Sequence, residues 1–155
     1  MTYKGRYSPT NPSKYRGDPT NIIFRSLWER KVMSYLDTNL NVLEWSSEEI
    51  VITYISPVDN RYHRYFPDFL VKTKRKDGSI ITQILEIKPK YQTFEPERRD
   101  TKRKPTKQFI NEVMTWGVNS AKWEAAKEYC LDRGWEFKIL TEDHIFGPSS
   151  KKRHK

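Results

Sequence analysis

The chain has 155 residues, of which 35% are hydrophobic, 14% aromatic and 32% charged, and its 29 Lys and Arg against 20 Asp and Glu give a formal charge of +9. That length is one domain's worth of core, and the aromatic content excludes a disordered chain. With no run of about 18 apolar residues, no apolar stretch over residues 1–6 and a single cysteine, Cys130, the sequence leads us to expect no membrane span, secretion signal, internal disulfide or multi-cysteine zinc site, and it fits a reducing cytosol.

A charge of this size on a small domain points to a polyanionic partner, nucleic acid first of all. It is concentrated: residues 1–20 carry +3, residues 88–107 carry +5 and residues 148–155 carry +4, which leaves −3 for the rest. One such run alone is as readily a solvated surface segment. Three of them around an acidic remainder suggest phosphate-binding arms around a site that holds a cation.

Residues 1–21 contain Tyr3, Tyr7, Tyr15, Pro9, Pro12 and Pro19 and have no helical or strand period. They read as a basic extended arm whose tyrosines either stack on bases or dock on the domain. Lys4, Arg6, Lys14 and Arg16 are its candidate DNA contacts. A domain over residues 22–147 follows. Its first helix is predicted from Ser26 to Asp37, because Ser26 and Glu29 have capping-box spacing and Trp28, Val32, Tyr35 and Leu36 share a face. Strands are predicted at Leu43–Trp45 and Ile50–Ile55, then at Tyr65–Arg75 and Ser79–Lys88 around Lys76-Asp77-Gly78. Residues 89–106, with three prolines, read as a long mobile basic loop, where Lys90, Arg98, Arg99, Lys102, Arg103 and Lys104 are candidate clamps on a DNA backbone without base-reading character. Thr106–Trp116 is predicted helical and Gly117 to end it. A second helix is predicted over Ser120–Arg133, with Trp123, Ala126 and Cys130 as its buried stripe and Gly134 as its stop. A phosphate contact at the start of that helix is open to Lys122. Trp135–Ile139 alternates as a half-buried strand, and residues 148–155 form a basic tail. The element order is α/β with a mixed central sheet flanked by helices.

The chemistry-bearing residues are Glu29, Asp68, Glu86 and Lys88. Asp and Glu are disfavoured in strand interiors, yet Asp68 and Glu86 lie among Phe66, Phe69, Leu70, Leu85 and Ile87. The hairpin register decides whether they meet. A two-residue turn at Asp77-Gly78 pairs Lys76 with Ser79 and turns Glu86 away from Asp68. A three-residue loop pairs Arg75 with Ser79, sets Asp68 opposite Glu86 and puts Lys88 on the same face. Gly78 stands where the three-residue loop requires positive φ; the sequence permits both loops, and the second is the one predicted because only it brings the charges together. Two carboxylates at cross-strand distance repel unless a cation neutralises them, and oxygen donors suit Mg²⁺, with Mn²⁺ as a substitute. Taken alone, a Pro-Asp pair followed by Glu-x-Lys is a short pattern that surface residues and a turn cap explain more simply.

Longer blocks carry more. Ser26-Leu27-Trp28-Glu29-Arg30, Tyr65-Phe66-Pro67-Asp68-Phe69-Leu70-Val71 and Leu85-Glu86-Ile87-Lys88 together resemble the PD-(D/E)xK nuclease superfamily, most closely its TnsA-type endonuclease branch. So do Ala125-Ala126-Lys127-Glu128-Tyr129-Cys130, Gly134-Trp135-Glu136-Phe137 and Leu140-Thr141-Glu142. The blocks span residues 26–142. The arm segment Tyr15-Arg16-Gly17-Asp18-Pro19-Thr20-Asn21, followed by Arg25–Arg30, is similar to head completion proteins of tailed phages. The resemblance implies a restriction-endonuclease-like fold. It implies Asp68 and Glu86 as metal ligands joined by the carbonyl of Ile87, with Lys88 as the catalytic lysine and Glu29 as a helix carboxylate reaching the metal. Glu29 has a competing role as the partner of Ser26 in the capping box. The implied activity is Mg²⁺-dependent hydrolysis of DNA phosphodiesters to 5′-phosphate and 3′-hydroxyl. Phage head or portal proteins are the implied partners beside DNA, and the host cytoplasm or the virion the implied place. The alternative is a catalytically inactive DNA-binding or head-assembly protein on the same fold.

Overall fold

The computed structural model describes residues 4–98 and 102–147. In chain order its elements are β1 (Gly5–Tyr7), β2 (Ile22–Phe24), α1 (Leu27–Thr38), β3 (Val42–Ser47), β4 (Ile52–Ile55), β5 (Tyr62–Tyr65), β6 (Phe69–Lys74), β7 (Ile80–Ile87), α2 (Lys107–Arg133), β8 (Glu136–Leu140) and α3 (Glu142–Phe146). The central sheet runs β3-β6-β7-β8. Its first three strands are antiparallel neighbours and β8 is parallel to β7, so the sheet is mixed. Parallel neighbours need a crossover, and α2 supplies it.

Strand alternation divides the core in two. Val32, Met33 and Leu36 of α1 pack on Trp45, Phe69, Val71 and Leu85 from one face of the sheet. From the other face Ile84 meets Ala126 and Cys130 of α2, with Ile52, Tyr54 and Tyr65 of the β4–β5 hairpin beside them. The stripe Trp123, Ala126, Cys130 is buried, as its spacing predicts. Among the described residues no helix is long and apolar enough to cross a membrane.

Three local expectations are corrected. First, the arm is folded into the domain over its described length. β1 pairs with β2, and Tyr15 lies buried in a T-shaped contact with Trp45 at 4.7 Å between ring centres. The anchor is Asp37, fully buried at the end of α1. Its carboxylate accepts the Tyr7 hydroxyl at 3.0 Å and the Thr10 and Asn11 N–H groups at 2.6 and 2.9 Å. Tyr7 and Tyr15 therefore dock, and Tyr3 lies outside the described residues. Second, the strand expected from Tyr65 to Arg75 is broken: β5 pairs with β4 in one sheet and β6 with β3 and β7 in another. Buried Pro67, which has no N–H to give a ladder, sits at the switch. Third, Gly117 does not end a helix. α2 runs unbroken for 27 residues, about 40 Å, because one glycine costs only about 1 kcal/mol in a helix and the Trp123–Cys130 stripe holds the following turns to the sheet.

Candidate active site

The site is built at the open end of the β6–β7 pair. The loop at that hairpin's other end is the three-residue form: Gly78 has φ +88°, its N–H donates to the Arg75 carbonyl at 3.0 Å, and the Arg75 N–H donates to the Ser79 carbonyl at 2.8 Å. The register that follows pairs Phe69 with Leu85 and places Asp68 opposite Glu86. The ladder does not continue to this pair. Instead the Asp68 carboxylate accepts the Ile87 N–H at 2.7 Å, while the Asp68 carbonyl accepts the Glu48 N–H at 3.1 Å. Asp68 is thus fixed from both neighbouring strands, and its Oδ1 meets no hydrogen-bond donor among the described residues.

Glu86 is 7% exposed, on the face of β7 that looks toward α2. Its Oε1 accepts the Tyr65 hydroxyl in a buried bond of 2.6 Å, and its Oε2 is 3.8 Å from the Lys88 ammonium. Lys88 lies just past β7, where its N–H bonds the Leu140 carbonyl at 3.0 Å, and its side chain is partly open to solvent. Asp68, Glu86 and Lys88 therefore meet as the three-residue loop predicts.

Glu29 lies in the first turn of α1. Its N–H is capped by Ser26 Oγ at 3.1 Å, but its carboxylate accepts from Arg25 N–H at 3.3 Å, so no capping box closes on Ser26. This leaves the carboxylate near the site. Burial raises its proton affinity, and the charges of Glu48 and Glu86 add to the rise. The same holds more strongly for Asp68, raised by burial, then by Glu86 and Glu29. Glu86 is also raised by burial, although Tyr65 and Lys88 oppose the shift. Burial raises all three, and Glu29 and Asp68 are raised further by neighbouring carboxylates, so the site is short of positive charge.

The donor set fits a hard divalent cation. Asp68, Glu86 and the Ile87 carbonyl offer oxygen only. Among the described residues no three His, Cys, Asp or Glu side chains converge as a metal group. A cation held by two carboxylates would complete its shell with carbonyl, water and phosphate oxygens, which is the habit of Mg²⁺ rather than of a metal caged by side chains.

Several of the candidate DNA contacts are held by named partners. Lys14 donates to the Asp37 and Asn39 carbonyls at 2.9 and 2.7 Å, and burial lowers its proton affinity. Arg16 pairs with Glu44. Lys90 pairs with Asp143 at 3.2 Å and its N–H bonds Glu142 at 2.6 Å, which ties the start of the basic loop to α3. Arg98 bonds the Arg103 carbonyl. Lys4, Arg6, Lys102, Arg103 and Lys104 have exposed side chains. Arg99 and the tail 148–155 lie outside the described residues.

Two neighbours of Glu86 were not placed there by the sequence. Tyr65 is one. The other is Lys122, which stands in the middle of α2 rather than at a helix start, its ammonium 5.6 Å from the centre of the Tyr65 ring and 5.9 Å from that of Tyr54. Only the Pro67 break hints at the first, by turning Tyr65 onto the face that Asp68 and Glu86 share.

The family model described as the TnsA-like endonuclease N-terminal region matches residues 39–142, a span that holds Asp68, Glu86 and Lys88. The chain is also 42% identical over 148 residues to the head completion nuclease of Enterobacteria phage T4, an alignment covering 94% of this chain and 95% of that one.

Proposed function

The chain belongs to the TnsA-like endonuclease family, and from that premise we propose that it is a metal-dependent endonuclease that hydrolyses DNA phosphodiesters during completion of a phage head. The observation that carries this reading is the Asp68–Glu86–Lys88 cluster, a half-buried and a buried carboxylate and an amine at one end of the β6–β7 pair. The head-completion context rests on the T4 relative, which aligns along nearly its whole length.

In this mechanism Asp68, Glu86 and the Ile87 carbonyl would hold Mg²⁺, which would supply Lewis-acid stabilisation of the phosphoryl oxygens. The protein's own residues do the rest. The Ile87 N–H and the Tyr65 hydroxyl each hold one carboxylate oxygen and so fix the direction of the others. Lys88 orients the attacking water and offsets the negative charge that develops at phosphorus. Water adds to phosphorus as the bond to the 3′-oxygen breaks, and a proton passes to that oxygen, giving 5′-phosphate and 3′-hydroxyl. Exposed Lys and Arg bind the flanking backbone without reading bases.

Supercoiled plasmid tests the reading. With Mg²⁺ or Mn²⁺ the wild type should nick it, whereas Asp68→Ala and Lys88→Ala should not. If the wild type leaves plasmid intact while all three bind DNA equally, the protein is a DNA-binding or head-assembly protein on a nuclease fold.

A further inference from the structure

We propose that Lys122, on helix α2, is a substrate-binding residue of the site, contacting a phosphate of the DNA beside Tyr65 and Glu86. The inference rests on the nuclease reading of the Asp68–Glu86–Lys88 cluster and adds to it a residue from a different element.

A half-buried ammonium has three N–H donors and a charge that burial penalises. Lys122 is half-buried, yet among the described residues it forms no ion pair and no hydrogen bond. Its ammonium lies over the faces of Tyr54 and Tyr65, at 5.9 and 5.6 Å from the ring centres. Cation–π contact attracts an ammonium but satisfies none of its donors. The Tyr65 hydroxyl is bonded to Glu86, so the ring that carries Lys122 is fixed to a carboxylate of the site. The Lys122 charge is also close enough to favour the ionised form of Glu86. Lys88 approaches Glu86 through Oε2, while Lys122 lies by the tyrosine that holds Oε1. Two lysines, one just past β7 and one on α2, thus lie near one buried carboxylate. A polyanion approaching this end of the sheet would supply the acceptors Lys122 lacks. The tyrosine faces would limit the rotation of its side chain and so reduce the entropy lost on binding.

Binding to a short fluorescent DNA duplex, followed by anisotropy in EDTA across a salt series, tests this without catalysis. Lys122→Met keeps the stem that packs on the tyrosines and removes the charge. Lys122→Arg keeps the charge. We expect the Met variant to bind about tenfold more weakly, as loss of a hydrogen bond to a charged group costs. Its slope of log affinity against log salt should be smaller by about 0.9, one phosphate contact. The Arg variant should keep the wild-type slope. A Met variant with the wild-type slope overturns the inference. So does misfolding of both Lys122→Met and Lys122→Gln by thermal melting, because the charge would then serve the core. The nuclease reading fails separately: a wild type that does not nick plasmid but shows the Lys122-dependent slope leaves this contact standing, and one that nicks plasmid with an unchanged slope in Lys122→Met removes this contact alone.

Discussion

The Asp68 carboxylate closes the β6–β7 pair by accepting the Ile87 N–H at 2.7 Å, where a backbone carbonyl would otherwise continue the ladder. The side chain replaces a main-chain bond and is held across from Glu86, whose charge raises its proton affinity on top of burial. One residue therefore both ends the sheet and builds half of a carboxylate pair.

Asp68→Asn separates these two roles. The amide oxygen still accepts from Ile87, but the charge beside Glu86 is gone. Plasmid nicking should fall by about 10²–10³-fold, the cost typical of removing one electrostatic element from a preorganised site. The melting temperature in EDTA should equal or exceed that of the wild type, because like-charge repulsion is relieved. A variant that melts well below the wild type would mean the pair is already compensated inside the protein.

Divalent cation should act in the opposite sense on the wild type. Buried carboxylates, of which Asp68 is raised further by the charge of Glu86, gain most from a shared cation. At 100 times its dissociation constant, Mg²⁺ or Mn²⁺ should stabilise the folded chain by about 2.7 kcal/mol. The gain is read as a rise in melting temperature that EDTA reverses and that Asp68→Asn lacks. Equal rises in both proteins would place the cation elsewhere.

Tyr65→Phe keeps the buried ring and deletes the hydroxyl that bonds Glu86 at 2.6 Å. Loss of a hydrogen bond to a charged group should cost about 1.5–3 kcal/mol in urea unfolding. Nicking should fall by about 10–100-fold, as for partners that orient metal ligands. Unchanged nicking with reduced stability would make Tyr65 structural only.

The β6–β7 register was legible in part from a local fact, the positive φ that Gly78 can adopt, but the choice between two loops turned on which one groups Asp68, Glu86 and Lys88. The helix cap at Ser26 and the Trp123–Cys130 stripe were legible for the same reason, since their partners lie within a turn or two. What escaped depends on distant partners. Asp37 meets Tyr7, Thr10 and Asn11 from 26 to 30 residues away, so nothing local separates a docked arm from a free one. Tyr65 and Lys122 reach Glu86 and its neighbourhood only once the β4–β5 hairpin and α2 close on one face of the sheet. The helix break at Gly117 was a local rule overridden by packing.

Gly117 still costs stability where it stands. Its φ is not among the positive values, and an added Cβ would meet only Pro57 Cγ at 3.6 Å, an ordinary contact. Gly117→Ala should therefore stabilise the protein by about 0.5–1 kcal/mol in urea unfolding, with nicking unchanged. A loss of stability would show that α2 needs glycine there for a reason other than space.

Asp37 tests how firmly the amino-terminal segment belongs to the domain. Its carboxylate is fully buried and accepts from one hydroxyl and two N–H groups. Asp37→Ala leaves these donors with no acceptor in a dry place, and each unsatisfied group costs about 1–3 kcal/mol. Relaxation will let some of them reach water, so a net loss of about 3 kcal/mol is expected in urea unfolding. The loss should be local before it is global. Trypsin should cut after Arg6, Lys14 or Arg16 in the variant at concentrations that leave the wild type intact, because cleavage follows the population of the opened segment. Tyr15 would then leave Trp45, and the tryptophan fluorescence should change with the same protease sensitivity. Wild-type protease resistance in Asp37→Ala would mean that the β1–β2 pairing and Tyr15 hold the segment without the carboxylate.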